Sequence, residues 1–389
     1  MLEAMQLSPY TPGVIARHLF GRSSYVAEFE LKLQQMRMAS RLEGRIVAYV
    51  GHRGVGKTSL LRHMQQKAQD LGFVSVWITA GDGALADEVL SGIVANVHNW
   101  QQRSIDAFAA MLRSLELSVH GVHVKVPEVI RQEGEQVGRV LQAALIKAGK
   151  LAIQEKRSGI VLFIDELQSA DLAGIRGLAY TWQHLQAEAP ELPMMVVGAG
   201  LGHTPDVVTD AVSFGERFQY ERLTDLTRAD SLQALVQPAR EMNVEWDPLA
   251  LGLALEMANG YPYFLQLIGD YTWKEARFPD QGATLHLEHT ERAQQPFREE
   301  LAQFFRVRWS KVTEAEGQLL TALAELGGDN VPRAALAEKM GVDTATLSMA
   351  RKSLIDKGII DSPRYGRLSF TAPGFAEYVR QEQGVEAKK

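Results

Sequence analysis

Cysteine is missing from all 389 residues. Its absence excludes a disulfide framework and thiolate metal sites, and it suits a reducing compartment. Long apolar runs are missing too. The strongest, "GIVLFI" at 159–164, falls far short of the ~20 residues that span a bilayer. The opening "MLEAMQLSPYTPGVIARHLF" has no basic segment followed by an apolar core. Neither a secretory leader nor a membrane anchor is therefore expected, and a cytoplasmic location is the default. Nor is there a surplus of positive charge: 41 Lys and Arg against 47 Asp and Glu give −6. Nothing draws the whole chain to nucleic acid, so any such binding must come from a local basic patch. Fixed-period repeats and low-complexity tracts are also absent. What remains, 46% hydrophobic and 23% charged residues, is the composition of an ordinary folded, soluble chain. Its length exceeds what one core organises, so two or three domains are expected.

Against this plain background stands "YVGHRGVGKTSLLRHM" at 49–64. Gly51, Gly54, Gly56, Lys57 and Thr58 complete the pattern G-x-x-x-x-G-K-[ST], between the β-rich run "GRIVAYV" and a helical pattern of Leu60, Leu61, Met64 and Ala68. Backbone N–H groups wrap a phosphate only where no Cβ blocks the approach and positive φ is tolerated, which glycine provides. The following helix N-terminus favours negative charge. Lys57 would reach the β- and γ-phosphates, Thr58 would bind Mg²⁺, and Val55 and Ser59 would complete the cradle.

Three further apolar runs, "FVSVWIT" (73–79), "GIVLFID" (159–165) and "LPMMVVGA" (192–199), alternate with helical patterns, as buried parallel strands do. The second delivers Asp165 and Glu166 at its carboxyl end, the edge where open α/β sheets bind ligands. Asp165 would hold Mg²⁺ through its water shell, and Glu166 would polarise the attacking water. A long helical insertion containing a hairpin-like "LELSVHGVHVKV" (115–126) separates strands two and three. After "FGERFQYERLTDLT" (214–227) the strands stop and helical segments follow. From about 305, three short helical patterns and the pair of strands in "IIDSPRYGRLSF" (359–370) read as a winged helix-turn-helix.

Together these motifs resemble the AAA+/STAND P-loop ATPases, in particular the group of origin-recognition initiators and archaeal-type ATPases. The resemblance covers most of the chain: "LFGRSSYVAEF" (19–29), the phosphate loop, "FIDELQ", "FGERF", "NGYPYFLQL" and the winged helix. It implies an α/β fold with a parallel P-loop sheet of the ASCE/AAA+ kind, followed by a helical lid and a C-terminal winged helix. The expected domains are 1–222, 223–300 and 305–389. It also implies that Phe20 and Arg22 lie near the adenine of ATP, and that Arg217 is directed at a γ-phosphate, usually a neighbouring subunit's, which would make the active form a homo-oligomer. Gly260, Tyr261 and Pro262 match the G-x-P motif of STAND proteins. Pro262 stands where initiators carry a sensor arginine, so this lid cannot supply one there. The fourth strand ends "VVGAGLGHT" without the usual polar sensor, for which His203 or Thr204 could substitute.

In the last helical pattern, Leu347, Ala350 and Leu354 take the buried face and leave Ser348, Arg351 and Lys352 outward, with Arg364 and Arg367 on the wing. Residues 351–367 carry five basic residues against Asp356 and Asp361, whereas 311–389 hold eleven of each sign. Double-stranded DNA is one expected partner of this domain. A protein partner, as for a signalling or scaffold switch, is the alternative. The pairs His120/His123 and His286/His289 have a spacing a metal could use, but with no cysteine or neighbouring carboxylate ligands they read as surface or packing residues.

Overall fold

The computed structural model describes residues 6–384 apart from 82, 98–99, 115–117, 121–122, 126–133, 363 and 365, and the side chains of 97 and 112–137 are likewise outside the description. The chain divides into two compact units. One comprises Arg22–Gly51 and Lys57–Leu223; the other comprises Met1–Gly21, His52–Gly56 and Thr224–Lys389.

The first unit is built on five parallel strands: β1 (Val47–Val50), β2 (Val74–Thr79), β3 (Ile160–Asp165), β4 (Met194–Gly200) and β5 (Gln219–Arg222). Their order is β2-β3-β4-β1-β5. The apolar runs of β1, β3 and β4 form the inner strands because helices cover both faces: every residue of these three is buried. The strand β5 goes beyond the four expected from apolar runs: it lies at the sheet edge, half-exposed, with the polar sequence QYER. The register places Val50 beside Gly200 and Thr79 beside Asp165. The ends of β1, β3 and β4 thus share one carboxyl edge, with β4 between the two strands that carry the motifs.

Helices α1 (Ser23–Ala39), α2 (Lys57–Asp70), α3 (Leu85–Val97), α4 (Gln102–Ser114), α5 (Gly134–Gln154), α6 (Leu172–Glu188) and α7 (Thr204–Ala211) surround the sheet. One core unites Ile164, Val196, Leu145, Leu178 and Trp182. In the insertion, Ser118–His120 and His123–Lys125 pair antiparallel. The rest of the expected hairpin lies outside the described residues, as do the side chains of His120 and His123.

The second unit holds helices α8 (Arg228–Glu241), α9 (Pro248–Ala258), α10 (Pro262–Glu275) and α11 (Leu287–Trp309). They pack around Trp273, Tyr261 and Phe264, all fully buried. Strands do not stop entirely after residue 227: Glu245–Trp246 pairs with Thr284–Leu285. The N-terminal segment joins this core through Tyr10, whose hydroxyl donates to the Leu235 carbonyl and accepts from Trp246 Nε1 at 2.9 Å. His286 and His289 have a structural role. The His286 backbone N–H donates to His289 Nδ1 (3.0 Å), capping the start of α11.

The winged helix comprises α12 (Glu314–Glu325), α13 (Arg333–Met340) and α14 (Leu347–Asp356), with a three-stranded antiparallel sheet. In that sheet Arg367–Phe370 lies between Val331–Pro332 and Ile360–Asp361. The first of these strands and a fourth helix, α15 (Phe375–Glu382), go beyond the expected three helices and a hairpin. Phe375, Tyr378 and Val379 form the buried stripe that packs α15 on α12. No helix among the described residues is long and apolar enough to cross a membrane.

Candidate nucleotide site and winged-helix surface

The ends of β1 and β3 are joined by side chains. Lys57 opens α2 with only 7% of its surface exposed, and its Nζ donates to the Gly51 carbonyl at 2.9 Å. The next residue, Thr58, donates its hydroxyl to Asp165 Oδ2 at 2.7 Å. Asp165 is 5% exposed, and its other oxygen accepts the Glu166 backbone N–H at 3.0 Å. Burial pushes the Asp165 carboxyl above its ordinary range, while Thr58, the Glu166 N–H and, more weakly, Lys57 pull it back. Ser59 follows, half-buried, in the first turn of α2.

Glu166 has left-handed backbone, φ 54° and ψ 39°, a conformation that costs a non-glycine residue ~1–3 kcal/mol. Its carboxylate accepts Gln168 Nε2 at 2.5 Å, and Gln168 Oε1 accepts the Leu201 N–H at the end of β4 at 2.9 Å. Gln168 stands two residues beyond Glu166 in "DELQ", and no expected role fell to it from the sequence. Of the two candidates for the strand-end sensor, Thr204 is fully buried and donates to the Leu201 carbonyl at 2.6 Å. His203, also buried, occupies the N-cap of α7.

Arg217 does not join this group. It lies in a short 3₁₀ turn just ahead of β5, whose first residue, Gln219, pairs with Val47 at the start of β1. Arg217 thus sits at the amino edge of the sheet, whereas the phosphate loop leaves the carboxyl edge, a strand length of ~13 Å away. Its guanidinium stands 5.4 Å from the Phe214 ring centroid, and no acidic side chain pairs with it among the described residues. Arg22, buried, holds the N-cap position of α1.

In the second unit, the tip of the phosphate loop packs against the start of α10. Tyr261 donates its hydroxyl to the Arg53 carbonyl, and its ring lies against Gly54. His52 stacks on that ring, centroids 5.2 Å apart and planes 11° apart, with its Nε2 3.0 Å from Asp225 Oδ1. Gly54 and Gly56 both have positive φ, 82° and 95°, and Val55 is buried. Pro262 fills the first helical position of α10, where no N–H is needed. Within "GYP" the loop is therefore touched by the tyrosine, a residue the motif leaves unspecified. At the other end of α11, Arg308 stacks at 3.5 Å on Phe304. Burial and then the like charge of Arg53 hold its guanidinium below the ordinary value, while the Tyr261 phenol opposes them. Phe20 packs partly buried against the helical core.

On the winged helix, Lys352 and Arg364 are exposed and Arg351 is half-exposed. No acidic side chain pairs with these three among the described residues. Two other predicted contacts are engaged within the fold: Ser348 Oγ accepts from Arg333 at 3.1 Å, and Arg367 donates to the Asn330 carbonyl. Arg333 also donates to the Thr344 carbonyl and so staples the turn before α14.

Residues 18–197 match the AAA ATPase domain family, and residues 302–379 match a domain of unknown function (DUF8462). No curated protein matches the chain. Among solved structures, a Walker-type ATPase of Pyrococcus abyssi aligns at TM-score 0.56 and 15% identity, over 95% of this chain and 98% of its own. The ORC2 protein of Aeropyrum pernix, as ADPNP–ADP complexes, aligns at TM-score 0.58 and 13% identity, over 97% and 98%. At such identities these likenesses establish the fold. With the loop, the Thr58–Asp165 bond and the family match in agreement, residues 18–197 of this chain are an AAA ATPase domain.

Proposed function

We propose that this protein binds and hydrolyses ATP with Mg²⁺ and acts as a nucleotide-dependent switch of the STAND type on double-stranded DNA. The observation that carries the reading is the Thr58–Asp165 bond of 2.7 Å, which joins the start of the loop helix to the end of β3. A hydroxyl and a carboxylate are the hard oxygen ligands Mg²⁺ takes, its other positions going to water and phosphate. A divalent cation there would also relieve the buried Asp165 charge. Adenine nucleotide is supported by the Aeropyrum ORC2 protein, solved with ADPNP and ADP. In the step itself Glu166 takes a proton from water as the water oxygen bonds the γ-phosphorus and the bond to the β–γ bridging oxygen breaks, releasing ADP.

Arg217, at the far edge of its own sheet, serves a neighbouring subunit's site in this reading. Tyr261 passes the state of the loop tip to the helical lid. Arg351, Lys352 and Arg364 face the DNA backbone or bases. A second reading, a protein-binding switch, is favoured by Met349, 86% exposed on α14, because a large apolar side chain on that face suits a protein surface.

Lys57→Ala should abolish ATP binding, and Glu166→Gln should keep binding but stop phosphate release. Hydrolysis retained in Glu166→Gln would remove that residue from the base role. Duplex binding should weaken steeply with salt and fall in Arg351→Ala/Lys352→Ala. Absence of binding at low salt with ATP present favours the protein partner.

A further inference from the structure

The carboxamide of Gln168 lies between the proposed general base and the end of β4, and its orientation is set by its neighbours. The Leu201 N–H requires an acceptor, so Oε1 faces it at 2.9 Å and Nε2 must face Glu166, where it donates at 2.5 Å. Nε2 has a further contact with Ser169 Oγ at 3.2 Å. Two backbone features accommodate this arrangement. Glu166 leaves the chain from a left-handed residue, which fixes where its side chain departs. Gly200 leaves room for the carboxamide, since a Cβ there would meet Gln168 Oε1 at 2.8 Å. The peptide that binds Gln168 through the Leu201 N–H offers its carbonyl, Gly200 O, to the Gly51 N–H at 3.1 Å, and the Gly51 carbonyl in turn holds Lys57 Nζ at 2.9 Å.

We propose that Gln168 is a positioning residue that holds the Glu166 carboxylate in register with Lys57 through the Gly200–Leu201 peptide, in place of the polar side chain that the end of β4 lacks. The inference rests on the ATPase reading above and adds to it a residue outside the phosphate loop and the Asp-Glu pair. A glutamine suits the task because one planar group both donates to a carboxylate and accepts from a backbone N–H. A glutamate at 168 would bring two acceptors together, and a leucine would keep bulk but neither bond. Without the tie, Glu166 swings about its own side-chain torsions, and a misplacement of ~1 Å is enough to lose ~100-fold in rate.

The test uses the full chain with Gln168→Leu and Gln168→Glu, measuring steady-state phosphate release, the Kd for a slowly hydrolysed ATP analogue, and hydrogen exchange at the Leu201 amide. We expect kcat to fall ~10–100-fold in both variants, with KM and analogue Kd within about twofold of wild type. The Leu201 amide should exchange at least ~10-fold faster in Gln168→Leu. A side chain that merely supported the fold would move KM and Kd together with kcat. Wild-type kcat in both variants, or unchanged Leu201 exchange in Gln168→Leu, would overturn the proposal. Absence of phosphate release from the wild type would instead sink the ATPase reading, and the Leu201 exchange would still report whether the tie exists.

Discussion

The left-handed backbone of Gly54 turns its bare Cα toward Tyr261, where a Cβ would lie 2.7 Å from the phenolic oxygen. Phosphate chemistry alone predicts a glycine at this point of the loop, but the ring gives a second reason for it. Burial pushes the Tyr261 hydroxyl well above its ordinary pKa, so it remains a donor to the Arg53 carbonyl at any pH at which the protein folds. Tyr261→Phe should remove that bond and leave the ring, at ~1 kcal/mol. If the loop tip is read through it, nucleotide affinity should weaken ~5-fold. Isothermal titration with an ATP analogue checks this, and an unchanged Kd would reduce Tyr261 to a packing residue. Pro262 cannot substitute, because it contributes a ring and no donor.

Among the elements, α12 and the end of α14 are tied by a buried ion pair. Glu316, 3% exposed, closes a capping box with Thr313 at the start of α12 and accepts both 2.6 and 2.7 Å bonds from Lys357, just past α14. Burial pushes its carboxyl up, but Lys357, Ser353 and the Thr313 N–H outweigh burial and hold it down at about 2, against an ordinary 4.5. A depressed carboxyl stabilises the fold above its unfolded pKa and loses that contribution as pH falls through the folded one. Wild type should therefore keep this contribution down to about pH 4.5 and shed it toward pH 2. Lys357→Met leaves the carboxylate buried and unpaired and should destabilise the domain by about 3 kcal/mol, the low end for a broken buried pair, because Lys357 is itself 27% exposed. Unlike wild type, the variant should gain relative stability as the pH drops toward 4.5 and Glu316 neutralises. Urea midpoints across that range provide the measurement, and equal midpoints at neutral pH would contradict it.

For the whole molecule, the proposed service of Arg217 to a neighbouring subunit's site predicts that activity needs a second copy. Specific activity should rise with protein concentration. Arg217→Ala and Lys57→Ala, each inactive alone, should recover part of the activity when mixed, since one supplies an intact loop and the other an intact arginine; no recovery in the mixture would argue against a shared site. The local structure of this protein was legible in its sequence: the loop glycines with Lys57 and Thr58, the apolar strand ending in Asp165 and Glu166, and the periodic helices of the winged domain. Phosphate binding, full strand burial and helix amphipathicity each impose a pattern within a few consecutive residues. Tertiary structure decided what depends on distant partners. It placed Tyr10 in the helical core, Tyr261 on the loop tip, and Gln168 between Glu166 and Leu201, and it engaged Ser348 and Arg367 in hydrogen bonds within the winged helix. A tyrosine or a glutamine has the same local propensity wherever it points, and only the folded chain determines which carbonyl or carboxylate it meets.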